Sequence, residues 1–194
     1  MENIKHSGNK KIIAVVGMCG SGKSEVVKYL QKTKKWPKIY FGEATFDRIK
    51  KDGLELNYEN ERKTREKIRK ELGMAAYAKL ALPKIEKLLK ENKVVILESL
   101  YSWAEYKTIK EKYGNNFKVI AVFSSPQTRL KRMLMRQEER PMQNEKEFIE
   151  RDYSEIENTD KGGPIARADF TIINESSLED FHHQLENIIN NIQI

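Results

Sequence analysis

Hydrophobic positions along the chain form short, nearly continuous runs that alternate with longer segments in which apolar residues recur every three or four positions. The short runs are typical of parallel strands covered on both faces, and the spaced pattern is typical of amphipathic helices. The predicted strands are residues 12–16, 38–41, 94–98, 118–123 and 170–173. The predicted helices are residues 23–33, 45–51, 59–72, 75–92, 103–113, 126–139, 145–157 and 178–192.

Strands and helices alternate through the whole length, which predicts an α/β fold with a parallel sheet and right-handed crossovers. Residues 1–10 are polar and are expected to form a flexible N-terminus, followed by a single domain over 11–194. Gly73 and Gly114 are predicted to end helices, and Pro83 to start a helix or kink one. No apolar run reaches the ~18 residues that a membrane-spanning helix requires.

The composition indicates the charge of the protein and the redox environment in which it is expected to function. The chain has 36 Lys and Arg against 29 Asp and Glu, a formal net charge of +7, which favours anionic partners such as nucleotides or nucleic acid. A hydrophobic fraction of 39% argues against disorder. The single cysteine excludes an intramolecular disulfide and a cysteine-cluster metal site, so a reduced, cytoplasmic setting is expected.

The strongest chemical signal is the segment GMCGSGKS at 17–24, which follows the first predicted strand and opens a predicted helix. The G-x-x-x-x-G-K-S pattern in that context predicts a loop whose backbone N–H groups surround the phosphates of ATP. Lys23 is expected to reach the β- and γ-phosphates, and the Ser24 hydroxyl to bind Mg²⁺. The expected phosphate-binding residues are Gly17, Cys19, Gly20, Ser21, Gly22, Lys23 and Ser24, with Cys19 acting through its backbone.

Two carboxylates follow predicted strands and are candidates for the transfer chemistry. Glu98 ends the third strand, where a carboxylate can hold Mg²⁺ or orient a substrate hydroxyl; the alternative is a surface residue at a strand exit. Glu43 follows the second strand and could accept a proton from an acceptor. The alternative for Glu43 is an acid that stabilises a helix N-terminus.

Arginines are concentrated in the second half of the chain. Arg129, Arg132 and Arg136 are spaced by three and four residues, which places them on one face of the predicted helix. Arg140 and Arg151 flank the segment that follows. Guanidinium groups on a lid would neutralise a migrating phosphoryl group and exclude water, an interpretation favoured over a solvated basic face, most strongly for Arg132 and Arg136.

Five motifs in order resemble the nucleoside-monophosphate-kinase-like P-loop proteins, most closely the archaeal adenylate-kinase-related and dephospho-CoA-kinase-like proteins. These motifs are residues 17–24, 42–43, 95–102, 125–132 and 168–178, and the resemblance covers nearly all of the chain after residue 10. It implies a five-stranded parallel sheet in the order 2-3-1-4-5, flanked by helices. It also implies a helical acceptor region at about 43–92 and an arginine-bearing lid at about 136–152.

The resemblance assigns roles to individual residues. It implies that Lys23 and Ser24 bind ATP phosphates and Mg²⁺, that Arg132 and Arg136 belong to the lid, and that Glu43 faces the acceptor. It places Asn174 near the adenine.

The chain also departs from the family pattern. Phe46 and Tyr101 stand where related kinases often have arginines, so Arg48, Arg65 or Arg69 would have to compensate.

These observations together predict an ATP- and Mg²⁺-dependent small-molecule phosphotransferase. Its expected acceptor is a nucleotide or nucleotide-like molecule, and its expected catalytic residues are Lys23, Glu43, Glu98, Arg132 and Arg136. A membrane partner is not expected, nucleic acid is a less favoured partner, and a monomer or homodimer is expected. The alternatives are a regulatory P-loop NTPase acting on a macromolecule and an RNA-associated kinase suggested by the net charge.

Overall fold

A single parallel sheet with strand order β2-β3-β1-β4-β5 forms the centre of the computed structural model, which describes residues 10–136 and 142–192. The predicted strand order and all five predicted strands are confirmed, with ends that differ by at most one residue. The strands are β1 (Lys11–Val16), β2 (Lys38–Tyr40), β3 (Val94–Glu98), β4 (Phe117–Phe123) and β5 (Phe170–Ile173).

Helices follow every strand. They are α1 (Lys23–Lys34), α2 (Glu43–Lys51), α3 (Tyr58–Leu72), α4 (Ala76–Glu91), α5 (Trp103–Tyr113), α6 (Pro126–Leu134), α7 (Glu145–Glu157), α8 (Gly162–Ala166) and α9 (Leu178–Asn191), with a 3₁₀ turn at Gly114–Asn116. Gly73 and Gly114 end α3 and α5, as predicted.

Two local predictions differ from the structure, which also excludes one of the two alternatives for Pro83. The helix predicted to reach residue 139 ends at Leu134. The prediction extended too far because the sequence offers no stop signal where α6 ends. Pro83 lies inside α4 and does not start a helix; its side chain is exposed, while Ala81 and Ile85 of the same helix are buried in the core. The five-residue α8 was not predicted, because two glycines and a proline indicate a turn.

Both faces of the sheet are covered, which explains the continuous apolar runs. Ile12, Ala14 and Val16 of β1 pack in one cluster with residues of α4 and α5, whereas Ile13 and Val15 pack on the other face with α1 and α9. Within the described residues, no helix combines the length and apolar character needed to cross a bilayer.

The strand order brings the polar loops of distant segments to one edge. β1 lies between β3 and β4, with Val15 opposite Glu98 and Val16 opposite Ala121. The carboxyl ends of these parallel strands therefore place the loop at 17–22 beside the segment that begins at Glu98.

A small satellite cluster attaches the second half of the chain to this edge. Cys19 packs with Met133 of α6, with Met142, and with Phe148 of α7, and all four are buried. Because Cys19 belongs to the loop at 17–24, α6 and α7 are held directly against that loop. Of the predicted lid at 136–152, residues 137–141, including Arg140, lie outside the described residues, as do residues 1–9.

Candidate phosphate-transfer site

The loop at 17–24 adopts a conformation that only glycine satisfies at two of its positions. Gly17 has a φ of 146°, and a Cβ there would lie 2.4 Å from the carbonyl oxygen of Val122. Gly22 has a φ of 104°, and its Cβ would lie 2.3 Å from the side-chain nitrogen of Asn174. The glycines of the motif therefore allow the backbone to turn tightly against the ends of β4 and β5.

The loop also presents hydrogen-bond donors that have no partner among the residues that the structure describes. Such donors are what a loop that binds a triphosphate should offer. Gly22 is the N-cap of α1 and supplies no side chain to cap the helix, so the first N–H groups of α1 remain for a ligand. The Ser21 hydroxyl is buried and has no hydrogen-bond partner. Uncapped N–H groups at a helix N-terminus fit the phosphates of ATP.

Lys23 is partly buried at this helix N-terminus, and its Nζ donates to the carbonyl oxygen of Met18 at 2.8 Å. Burial, and then the positive charge of Lys161, lower the pKa of Lys23 from 10.5 to about 7. The charged lysine is therefore destabilised in the free protein, and a bound polyanion would stabilise it.

Proton uptake is the expected signature of nucleotide binding to this lysine. Phosphate oxygens raise the pKa of Lys23, so that above about pH 7 the complex holds a proton that the free protein lacks. The same shift makes the free protein more stable as the pH rises from about 7 towards 10.5, since the unfolded lysine binds the proton more tightly in that range.

Calorimetry of ATP binding in two buffers of different ionisation enthalpy measures the uptake. We expect the Lys23→Ala variant to lose the pH-dependent uptake of the parent protein. Equal uptake by both proteins would assign the proton to another group.

A cavity of about 280 Å³ lies between this loop, the ends of β2 and β3, and the segment from α7 to α8. This volume lies just below the ~300–1,000 Å³ range of small-molecule sites. Charged side chains dominate its walls. The cations are Lys23, Lys38, Arg136, Arg151 and Lys161, and the carboxylates are Glu98 and Glu155.

Glu98 and Glu43 occupy different surroundings. Glu98 lines the cavity with its side chain 16% exposed, and its Oε2 accepts a hydrogen bond from Lys38 at 2.7 Å. Glu43 is 53% exposed, accepts from Lys84 at 2.7 Å at the start of α2, and does not line the cavity. This position of Glu43 favours the alternative of a helix N-terminal acid over the expected role towards the acceptor.

Oxygen donors suited to Mg²⁺ are present in the cavity. The hydroxyl-bearing Ser24 and the carboxylate of Glu98 both line it. Among residues 10–136 and 142–192, no group of three or more His, Cys, Asp or Glu could hold a metal by itself. Mg²⁺ keeps several waters and shares phosphate ligands, so two protein oxygens beside a triphosphate site fit this ion.

The three arginines predicted to share one helical face separate in the structure. Arg129 is buried and pairs with Asp152 of α7. Arg132 donates to the Ser124 hydroxyl at 2.9 Å and to the Asn174 carbonyl at 3.0 Å, so it joins α6 to the ends of β4 and β5. Arg136 lies beyond the end of α6 and lines the cavity.

Asn174, expected near the adenine, contacts the loop itself. Its Nδ2 donates to the Ser21 carbonyl at 2.8 Å, and its Oδ1 accepts from Arg132 at 3.3 Å. Asn174 therefore supports the loop at 17–24 from the end of β5.

Sequence reasoning assigned no site role to several residues of the cavity, including Lys38, Glu155 and Lys161, and placed two others in different roles. Lys161 and Glu155 received no prediction, because Lys161 precedes a Gly-Gly-Pro turn and Glu155 forms an i,i+4 pair that resembles a solvated helix surface. Arg151 was considered only as a flanking residue of the lid. Tyr101 was considered only as a missing arginine.

The three arginines that could compensate for Phe46 and Tyr101 also differ. Arg48 is held on the protein surface by Asp52 and Glu71. Arg65 pairs with Glu61 at 3.3 Å. Both guanidinium groups therefore have carboxylate partners in the structure.

Arg69 is the exception among these three. Its guanidinium carbon lies 5.4 Å from the centre of the Tyr77 ring, and its Nε is buried without a hydrogen-bond partner. Within the described residues it forms no ion pair. Its positive charge also acts on the buried Glu105, where it lowers a carboxyl pKa that burial raises. Arg69 lies in the region predicted to hold the acceptor but does not line the cavity beside the loop.

A second, more apolar cavity of about 280 Å³ lies within the predicted acceptor region, between β2 and helices α2, α3 and α4. Ile68 and Leu80 contribute to its apolar walls, and Lys84 to its polar ones. Tyr40 lines both this cavity and the charged cavity beside the loop at 17–24. The Tyr40 side chain therefore forms a wall between the two cavities.

The sheet order, the glycine loop and the partly buried lysine at the start of α1 define a P-loop protein with a kinase-like fold. The AAA domain family matches residues 13–158, and the chain belongs to this family. The UPF0200 protein of Thermococcus onnurineus is 35% identical over 182 residues, covering 93% of this chain and 97% of that protein. The UPF0200 protein of Methanocaldococcus jannaschii is 37% identical over 181 residues, covering 93% and 90%.

Solved structures agree with this fold. Shikimate kinase from Bacteroides thetaiotaomicron has a TM-score of 0.60 and 12% identity, covering 95% of this chain and 99% of that chain. A gluconokinase from Sinorhizobium meliloti has a TM-score of 0.55 and 18% identity, covering 94% and 95%. The archaeal relatives and this fold confirm the resemblance to P-loop kinase-like proteins.

Proposed function

We propose that the protein is an ATP-dependent kinase that transfers the γ-phosphoryl group to a small, anionic, nucleotide-like acceptor. The observation that carries the proposal is one cavity shared by Lys23 and Ser24 of the loop, Glu98 of β3, and cations from the segment beyond α6. The kinase-like fold supports the reaction class, and the composition of the cavity supports the acceptor class.

Each group has a defined part in phosphoryl transfer. The backbone of the loop binds the phosphates, and Lys23 stabilises negative charge that grows on the transferred group. Ser24 and Glu98 would hold Mg²⁺, which supplies further charge neutralisation when bound. Lys38 donates to Oε2 of Glu98, so Oε1 is left, among the residues that the structure describes, for the metal or for an acceptor hydroxyl.

The charge of the cavity favours an anionic acceptor. Among the described residues, five cationic side chains face two carboxylates on its walls. A triphosphate with Mg²⁺ offsets only part of this surplus, so a second anion would be bound favourably. The apolar cavity behind Tyr40 supports an acceptor that combines this anion with an apolar or aromatic part, as a nucleotide does.

The test is a panel of nucleoside monophosphates, dephospho-CoA and RNA 5′ ends, each incubated with ATP and Mg²⁺. Mass spectrometry of the acceptors identifies any phosphorylated product. We expect product from at least one small acceptor. Phosphorylation of RNA ends alone would replace the proposal with an RNA kinase, and ATP hydrolysis stimulated only by a macromolecule would indicate a regulatory NTPase.

Arg69 is expected to bind the anionic group of the acceptor. Replacing it with alanine should raise the acceptor KM about tenfold or more with little change in the KM for ATP, since hydrogen bonds to charged groups contribute ~1.5–3 kcal/mol. Steady-state kinetics with each substrate varied in turn measure both constants. Arg62→Ala on the same helix, where Arg62 pairs with Glu66 in solvent, is the matched control. An acceptor KM no higher than that of the control would exclude Arg69 from the acceptor site.

A further inference from the structure

We propose that Lys161 is a phosphate-binding residue that contacts the γ-phosphoryl group of bound ATP, so that this group lies between two lysines. The inference deepens the proposed function and rests on it only in taking ATP as the ligand. Lys161 comes from the connection between α7 and α8, more than 130 residues from Lys23 along the chain.

Lys161 is built into the cavity wall. It is 2% exposed, lines the same cavity as Lys23, and its Nζ lies 2.5 Å from Oε2 of Glu155. The same Nζ lies 4.2 Å from the centre of the Tyr101 ring. Lysine is almost never this buried unless it is paired, so its position is specified by these neighbours.

The neighbours do not balance the positive charge. Glu155 also accepts from Arg151 at 3.4 Å, so one carboxylate serves two cations, with the charged form of Lys23 close by. Although burial opposes ionisation of Glu155, Lys161 and Arg151 hold its pKa below the ordinary value. Two cations share one carboxylate, and Lys23 becomes a third when it is protonated, so this group favours binding of a further anion. Phosphate is the anion that the adjacent loop is shaped to hold.

The position of Lys161 relative to Lys23 indicates which phosphate it meets. In a loop of this kind the lysine reaches the β- and γ-phosphates. Lys161 lines the same cavity as Lys23, and its positive charge lowers the pKa of Lys23. Lys161, which packs on Tyr101, therefore lies near the end of the triphosphate that Lys23 is expected to contact.

The corner that carries Lys161 is held in place from both sides. Asp160 has a φ of 51°, a left-handed conformation that costs a residue other than glycine ~1–2 kcal/mol. Gly163 packs so closely on Trp103 that a Cβ there would lie 2.9 Å from the ring. Strain and close packing at one corner fix the ammonium group before a ligand arrives, which suits a residue that binds a phosphoryl group.

The experiment compares ATP and ADP binding to a Lys161→Met variant by calorimetry. ADP lacks the γ-phosphoryl group, so we expect ATP affinity to fall about tenfold or more and ADP affinity to change much less. Lys112→Met is the matched control, because Lys112 also pairs with a glutamate, Glu86, and lies over a tyrosine ring, but on the outer surface of α5.

An equal loss of ATP and ADP affinity would assign Lys161 a structural role, and no loss of either would remove it from the site. If Lys161→Met does not fold, Glu155→Gln provides a second test. Removing the competing carboxylate should keep or increase the preference for ATP over ADP, and a lost preference would overturn the proposal. Because these are binding measurements, they are independent of whether any acceptor is phosphorylated.

Discussion

Replacing Lys23 with alanine is expected to lower the rate of phosphoryl transfer by about 10²–10³-fold or more, as found when a preorganised charge-stabilising donor is removed. The folded protein should persist, since Lys23 belongs to none of the apolar core clusters. Burial already destabilises its charged form in the free protein, so the alanine variant should be no less stable near neutral pH.

Initial rates with the acceptor identified by the panel, together with thermal unfolding of the variant, measure both effects. Lys28→Ala is the control, because Lys28 lies on the same helix and is exposed. Activity of the Lys23 variant within a few-fold of this control, on folded protein, would remove the loop lysine from the transfer chemistry.

Replacing Asp152 with alanine should produce the largest loss of stability, about 3–5 kcal/mol of unfolding free energy, because it leaves the buried Arg129 unpaired. Arg129 donates to both carboxylate oxygens of Asp152, at 2.8 and 2.5 Å, and also to the Cys19 carbonyl at 3.2 Å. Its guanidinium lies 5.0 Å from the Phe148 ring. The pair therefore joins α6, α7 and the phosphate-binding loop.

Denaturant unfolding of Asp152→Ala measures this loss. Glu150→Ala is the matched control on α7, since Glu150 is exposed and its pairing distance to Lys146 is 3.9 Å. Replacing both partners, as Arg129→Met with Asp152→Leu, should recover much of the stability because no buried charge remains. A loss for Asp152→Ala as small as that of the control would show that the pair is not a structural link.

The fold could be predicted from the sequence because its signals are local. Covered parallel strands are continuous apolar runs, and the phosphate-binding loop needs its glycines and lysine at fixed spacings within eight residues. The strand order came from the resemblance, and the structure confirms it. Helix ends were predicted where glycine marked them, at Gly73 and Gly114, and missed at Leu134, where no such marker exists.

The site was harder to predict because its charged residues differ in burial and not in sequence pattern. Arg129 and Arg136 have the same residue type and helical spacing, yet Arg129 is buried in an ion pair and Arg136 lines the cavity. Glu43 and Glu98 both follow strands, but only Glu98 lies beside β1. Lys161 lines the cavity because the corner after Asp160 packs on Trp103 through Gly163, a tertiary contact that periodicity and propensity do not reveal.

The central claim is that the γ-phosphoryl group passes to a small acceptor and not to water. The direct measurement uses ATP labelled in its γ-phosphoryl group and follows, in one mixture, how the label divides between the acceptor and inorganic phosphate. With the correct acceptor at saturation, we expect most of the label in the acceptor, little hydrolysis without it, and neither product at a significant rate from the Lys23→Ala variant. Label that enters inorganic phosphate at the same rate whichever small acceptor is present would contradict the kinase assignment.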